Sequence, residues 1–283
     1  MDLKRIKFST DTEWRGSGGW SFSNTLAKYL SKAGWPIVDS LQDADIFLIT
    51  GPTTANRDVV KMAIDKGIKV VFRVDNIPED YRNRGTAVSR LKDFSKMADV
   101  VVYQSNWAKD YVMGLTEVDG AVIYNGVDTK TFFSRKNKKN KEIVNYLYVK
   151  SSTNENKRWP EAKYYFRMEW LKNKNSKLHL VGRWGREIKE YNFGLFNEPY
   201  EYHGEIKNPY QMAELYRQCD IILIPYYNDA CSQVVLEAKA SGLQINTCFS
   251  GMTGGTPELL ELSDISAERM TQEYIGLFNL VMQ

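Results

Sequence analysis

The chain is 283 residues long, a length natural for two domains of ordinary size rather than one large core. It is 43% hydrophobic and 26% charged with a net charge of +3, which fits a soluble globular protein and argues against a dedicated nucleic-acid binder. Its three cysteines, Cys219, Cys231 and Cys248, form no CxxC pair, which excludes a disulfide framework and a zinc site built on them and fits a reducing compartment.

Met1–Phe8 carries Asp2, Lys4, Arg5 and Lys7, so it does not read as a signal peptide, and no apolar run reaches membrane-spanning length. The expected location is the cytoplasm. Ile6–Ser9 predicts a short strand, followed by the loop EWRGSGGW and a helix over Ser21–Ala33 that Gly34 stops. Strands are predicted at Ala44–Thr50, Ile68–Val74 and Asp99–Ser105, with helices over Asn56–Lys66 and Thr86–Ala98 between them. Continuous apolar strands alternating with helices predict a parallel sheet of βαβ units. The polar run Ser134–Asn140 interrupts the rhythm and reads as a linker. The rhythm then restarts with strands at Glu142–Val149 and Lys177–Gly182 and a helix over Pro160–Lys172. Next comes a helix capped by Asn208 with Pro209 first, then a strand at Asp220–Pro225. A helix from Ser232 to Gly242 and a strand at Leu243–Thr247 follow, and Met270–Gln283 predicts a closing helix. The division expected is 1–133 and 134–283, two Rossmann-like domains with parallel sheets facing a central cleft.

The segment DACSQVVLEAKASG, Asp229–Gly242, carries the first functional signal. It follows a predicted strand's carboxyl end and opens a helix, whose amino end offers unpaired N–H groups and partial positive charge to a phosphate. Glu237 stands two turns in among Val234, Val235, Leu236 and Ala238, with Asp229 in the loop before it. Carboxylates accept hydrogen bonds from vicinal sugar hydroxyls, so the segment suits a nucleotide sugar; a solvated helix edge is the plainer alternative. Cys231, Ser232 and Gln233 occupy the loop and helix start, where positive potential lowers a thiol's pKa.

Three segments in order resemble the retaining GT-B glycosyltransferases of family 4: VIYNGVDTKTF at Val122–Phe132, DACSQVVLEAKASGL from Asp229, and GGTPELL at Gly254–Leu260. The resemblance implies a GT-B fold with an acceptor-binding first domain and a donor-binding second one, and Met270–Gln283 as the closing helix that crosses back to the first domain. It places the family's ribose-binding Glu on Glu237 and its sugar-side Glu on Asp229, one methylene shorter. The family's GR…KG stretch, whose Arg and Lys clamp the diphosphate, falls on YVKSSTNENKRW. That puts Lys150 at the Arg place and Lys157 at the Lys place, with Arg158 beside it and Gly182 also on the donor side. The glycine-rich loop with Gly16, Gly18 and Gly19 corresponds to the family's phosphate or acceptor loop; a tight turn needing positive φ is the alternative. The family's cleft His is replaced by FRVDNI, which offers Arg73, Asp75 or Asn76 to the acceptor.

DAD at Asp43–Asp45 precedes a strand and reads as a turn rather than a metal-binding DxD. The basic run Arg135–Lys141 reads as solvated linker and leaves open a weak peripheral membrane contact. Trp14, Trp20, Tyr81 and Trp107 are candidates to stack on an acceptor, or core. His179 lies within a strand and reads as structural. The expected activity is metal-independent, retaining transfer from a UDP- or GDP-linked rather than ADP-linked sugar to a glycan or small hydroxyl acceptor, without a cofactor. The alternatives are a nucleotide-sugar-binding protein without turnover and an epimerase or phosphorylase on the same fold.

Overall fold

A computed structural model describes residues 4–10, 18–75, 77–78, 85–134, 142–150, 155–184 and 198–283. The chain divides into two compact units, one of residues 1–126 with 262–283 and one of 127–261. Each is built on a five-stranded, wholly parallel sheet. The architecture is therefore α/β and Rossmann-like in both halves.

In the first unit the strands β1 (Ile6–Phe8), β2 (Ile46–Ile49), β3 (Lys69–Arg73), β4 (Val100–Tyr103) and β5 (Ala121–Val122) lie side by side in chain order. β2 is buried along its whole length, which is why its sequence is an uninterrupted apolar run. Helix α1 (Gly18–Lys32) leads to Ile37, which bridges Ile6 in parallel, and the chain then crosses to pair β2 on the same residue. The reversal opens a crevice at the carboxyl ends of β1 and β2, where ligands bind in such sheets. α2 (Arg57–Asp65), α3 (Gly85–Met97) and α4 (Asn106–Thr116) complete the βαβ units. Asn56 caps α2 by accepting from Asp58 and Val59 N–H.

The last helix, α9 (Ala267–Val281), also belongs to this unit. Tyr274 packs on Phe22 at 5.8 Å and Phe278 on Trp35 at 5.9 Å between ring centroids, filling one core with Leu26, Leu30 and Met270. A boundary at 133/134 and a second domain running to 283 therefore do not match the compact division. A linker's composition marks where the chain is solvated, and carries no information on which core the final helix completes.

In the second unit the order is β10 (Gln244–Asn246), β9 (Ile221–Leu223), β6 (Val144–Val149), β7 (Ser176–Val181), β8 (Tyr200–Tyr202). Its helices are α5 (Trp159–Lys172), α6 (Pro209–Gln218), α7 (Gln233–Ala240) and α8 (Glu258–Glu261). The chain goes from β6 to one side and later returns to the other, so this sheet's switch point lies at the carboxyl ends of β6 and β9. Tyr148, Trp159 and Trp184 form an aromatic core beneath it, with centroids 4.7 to 5.9 Å apart.

The DAD segment begins at the end of a 3-10 turn, Leu41–Asp43, and Asp45 accepts from the backbone N–H of Arg5 at 2.8 Å, tying the start of β2 to that of β1. The Arg135–Lys141 run, Trp14, Gly16, Asn76 and Tyr81 lie outside the described residues. Trp107 stacks on Tyr111 along α4. Among the described residues no helix is long and apolar enough to cross a membrane.

Candidate functional site

The charged residues singled out in the second half converge at the carboxyl ends of β6 and β9. Lys157 ends a short 3-10 turn, Glu155–Lys157, and is 6% exposed. Its ammonium pairs with the Asp229 carboxylate and lies 3.8 Å from the centroid of the Tyr226 ring. The turn is held from two sides. Tyr148 Oη donates to Lys157 O at 3.0 Å and Tyr227 N–H donates to Asn156 O at 2.7 Å, while Tyr226 Oη donates to Val149 O at the end of β6 at 2.7 Å. A lysine with so little freedom is pre-organised rather than solvated.

Asp229 is fixed by the third motif. Its carbonyl accepts from Gly255 N–H at 2.9 Å, Thr256 N–H at 3.1 Å and Thr256 Oγ1 at 3.2 Å. Gly254, at φ +92, packs so closely that a Cβ there would come within 2.6 Å of Asp229 O. GGTPELL is thus the brace that holds the acid, joining two segments 25 residues apart.

Glu237 is 8% exposed, so the solvated-edge reading fails. Tyr216 Oη on α6 donates to Glu237 Oε2 at 2.9 Å. Burial pushes the carboxyl up to about 7, while the Tyr216 hydrogen bond and the nearby Lys150 charge pull it back. Ser232 holds the N-cap place of α7, yet its side chain makes no cap bond, so it does not satisfy the N–H groups of the first turn. Ser232 and Cys231 are both buried. Gln233 is the first residue of α7.

Lys150 continues the ladder past β6, its N–H bonded to Val181 O at 2.9 Å next to Gly182, whose own N–H reaches Gly204 O. Its φ is +136, and Arg158 has φ +50. Both lie in the region that favours glycine, and departures of this kind cluster at functional sites. Arg158 turns toward Glu161, 3.7 Å away, and over the Tyr227 ring.

In the first unit the picture differs. Gly18 and Gly19 begin α1, so a positive-φ turn is not their reason for being glycine. Arg73, 2% exposed, does not face an acceptor. Its guanidinium donates to Thr50 O at 3.0 Å, Gln104 Oε1 at 2.7 Å and Asn125 Oδ1 at 3.0 Å, and stacks 3.7 Å from the Phe22 centroid. It ties β3 to β4 and to the Asn of NGVD. Asp75 is half-buried against Gly51, where a Cβ would come 2.5 Å from its carboxyl group. Five hydroxyls that the sequence reading missed cluster at the carboxyl ends of β1 and β2. Ser9 meets Thr54 at 2.6 Å and Thr50 at 3.2 Å; Thr10 meets Ser23 at 2.8 Å and Thr50 at 3.3 Å. Tyr216 and Tyr226 were missed as well, because nothing local marks an aromatic whose partner comes from another element.

Among the described residues, the single convergence of three metal-ligating side chains is His179, Glu201 and His203, away from Asp229 and Glu237 in the sheet. The chemistry available at the carboxyl ends of β6 and β9 is that of two ammonium groups, a helix amino end and two carboxylates.

No protein-family model matches the sequence, and no curated protein matches it. Solved structures do match in fold. Anabaena HepE in complex with UDP and glucose is 14% identical, with a TM-score of 0.64 over 95% of this chain and 88% of that one. Sucrose-phosphate synthase from Thermosynechococcus elongatus is 13% identical, with a TM-score of 0.66 over 86% and 80%. An alpha-glucosyltransferase in complex with UDP and a DNA containing an HMU base is 14% identical, with a TM-score of 0.64 over 99% and 91%. The fold is that of these GT-B glycosyltransferases.

Proposed function

We propose that the chain is a cytoplasmic, retaining glycosyltransferase of the family 4 type. It moves a sugar from a UDP- or GDP-linked donor to a glycan or other hydroxyl acceptor, without a metal at the reacting centre. One observation carries the reading: a buried Glu237, an uncapped α7 and the Lys157–Asp229 pair meet at the sheet's switch point. Fold neighbours crystallised with UDP support it.

Each group has a defined task. Glu237 accepts from the ribose hydroxyls. The α7 amino end and Lys157 hold the diphosphate, and Lys150 adds charge beside them. Asp229 orients the Lys157 ammonium and faces the donor sugar. Transfer breaks the bond between the anomeric carbon and the phosphate oxygen. The acceptor oxygen forms its bond on the same face, and its proton passes to the departing phosphate. The negative charge growing on that phosphate is stabilised by Lys157, already fixed in place before reaction.

Nucleoside diphosphate released from UDP-, GDP- and ADP-sugars, with and without hydroxyl acceptors, tests the activity. Acceptor-dependent release from one donor class is expected; tight binding with no release would mean a binder without turnover, and a changed sugar would mean an epimerase. Calorimetry tests the site. Glu237→Ala should weaken nucleoside diphosphate binding at least about tenfold, the loss of one charge-assisted hydrogen bond. Unchanged affinity would remove the central residue of the reading.

A further inference from the structure

Three side chains with metal-binding chemistry stand on one face of the second sheet. His179 and Glu201 are direct partners in the parallel β7–β8 register. His203 follows two residues after Glu201, anchored by its backbone N–H to Leu180 O at 2.9 Å. The rings are nearly coplanar, 19° apart, with centroids separated by 5.2 Å and His179 Nδ1 2.9 Å from His203 Nε2. That geometry is one straight N–H···N bond, so one of the two nitrogens carries a bare lone pair. Asn145 decides which. Its Oδ1 lies 3.0 Å from His179 Nε2, and an amide oxygen only accepts. Nε2 of His179 therefore holds the hydrogen, and Nδ1 presents the lone pair. The Glu201 carboxylate lies 3.9 Å from His179 Nδ1 and 3.8 Å from His203 Nδ1.

We infer that His179, Glu201 and His203 form a binding site for a divalent transition metal of the zinc, nickel or copper type. A ligating histidine is usually held by a hydrogen-bond acceptor on its other N–H, and Asn145 supplies that acceptor here. Two imidazoles and one carboxylate match zinc's nitrogen and oxygen ligands, with a position left for water. Imidazole selects these metals over calcium or magnesium. Loading requires two local adjustments. His203 turns its ring and moves its hydrogen from Nε2 to Nδ1, so that the two ligating nitrogens separate to about 3.3 Å around the ion. Glu201 gives up Lys177, whose ammonium lies 2.6 Å from it. Both adjustments fall on the accessible side: the His203 side chain is 21% and that of Glu201 46% exposed, while His179, at 8%, keeps its place. An exposed ion pair such as Lys177–Glu201 adds little stability, so releasing it is easy. This site is independent of the proposed transfer reaction and does not rest on it.

The test is a titration of the full chain, free of any histidine tag, with Zn²⁺ against a chromogenic chelator and separately with Ni²⁺, at neutral pH. One saturable metal per chain is expected, and Zn²⁺ should raise the melting temperature. His203→Ala and Glu201→Gln should each weaken binding at least about tenfold, judged against the loss seen when only outer-shell partners are removed. Cys248→Ser should leave it unchanged. Absence of saturable binding of both metals would mean that the two histidines are a hydrogen-bonded pair only. Stoichiometric binding that survives Glu201→Gln and His203→Ala would place the metal elsewhere, and either result overturns the assignment. If His203→Ala does not fold, Glu201→Gln on the exposed edge strand decides alone.

Discussion

The two units carry the same sheet logic with opposite chemistry at the switch point. In the second, charge dominates: Lys150, Lys157, Asp229 and Glu237 gather beside the uncapped end of α7. In the first, hydroxyls and amides dominate: Ser9, Thr10, Thr50 and Thr54 form a hydrogen-bonded cluster, and Gln104 and Asn125 accept from one buried arginine. A diphosphate is recognised by fixed charge, because water competes too well against neutral groups. A sugar hydroxyl, itself uncharged, can be held by neutral donors and acceptors such as hydroxyls and amides. The difference is what the two substrates of a glycosyl transfer would require of two otherwise similar frames.

The sharpest way to break this comparison is Lys157→Ala. It removes the cation expected to meet the leaving phosphate and strands Asp229, so donor turnover should fall by about 10² to 10³. A turnover within a factor of about three of wild type would show that the charge is ornamental. In the first unit, Arg73→Met should instead act on stability, by roughly 3 to 4 kcal/mol, because it removes three buried hydrogen bonds, those to Thr50 O, Gln104 Oε1 and Asn125 Oδ1. Thermal melting measures this, while nucleoside diphosphate affinity of the folded variant should stay at the wild-type value. An equal loss of affinity would erase the division of labour.

Glu237 gives a pH signature. Its carboxyl is raised from 4.5 to about 7 by burial, so between these values the folded chain holds a proton that the unfolded chain releases. Stability from this group is therefore highest below about pH 5 and falls as pH rises through 7, by on the order of 3 kcal/mol in total. In Glu237→Gln that part of the slope should vanish in denaturant melts taken from pH 5 to 8; a slope identical to wild type would contradict the assignment. The smallest effect expected is from Thr54→Val, which removes the contacts to Ser9 at 2.6 Å and Gly51 O at 2.8 Å. About 1 kcal/mol of stability should be lost, with a raised acceptor KM and an unchanged donor KM. A shift in donor KM alone would assign the hydroxyl cluster to the wrong substrate.

What could be read in advance follows from which interactions are local. Ile46–Ile49 and Ile221–Leu223 were legible as strands because burial on both faces leaves an unbroken apolar run. Asn208 and Asn56 were legible as helix starts because a cap bonds two or three residues on. Glu237 was legible by its spacing from Asp229, though its burial was not. The Tyr216 hydroxyl that meets it comes from another helix, and only packing brings the two together. Arg73 was misplaced for a similar reason: three neutral acceptors from three segments hold it inward, and none is near it in sequence. Lys150 was legible as a charge at the end of a strand, though its positive φ was not. His179 looked like an ordinary strand residue because the β7–β8 register, which brings Glu201 opposite it, has no local code.

The division of the chain has a consequence for synthesis. Residues 1–126 are made before the second unit, but the aromatic face of α9 that covers Phe22, Leu26 and Trp35 is made after it. The second unit, 127–261, is continuous and can close as soon as it emerges. The unit begun before the other is thus completed after it, and until α9 is made it carries an open apolar flank that a chaperone or a premature stop would find uncovered.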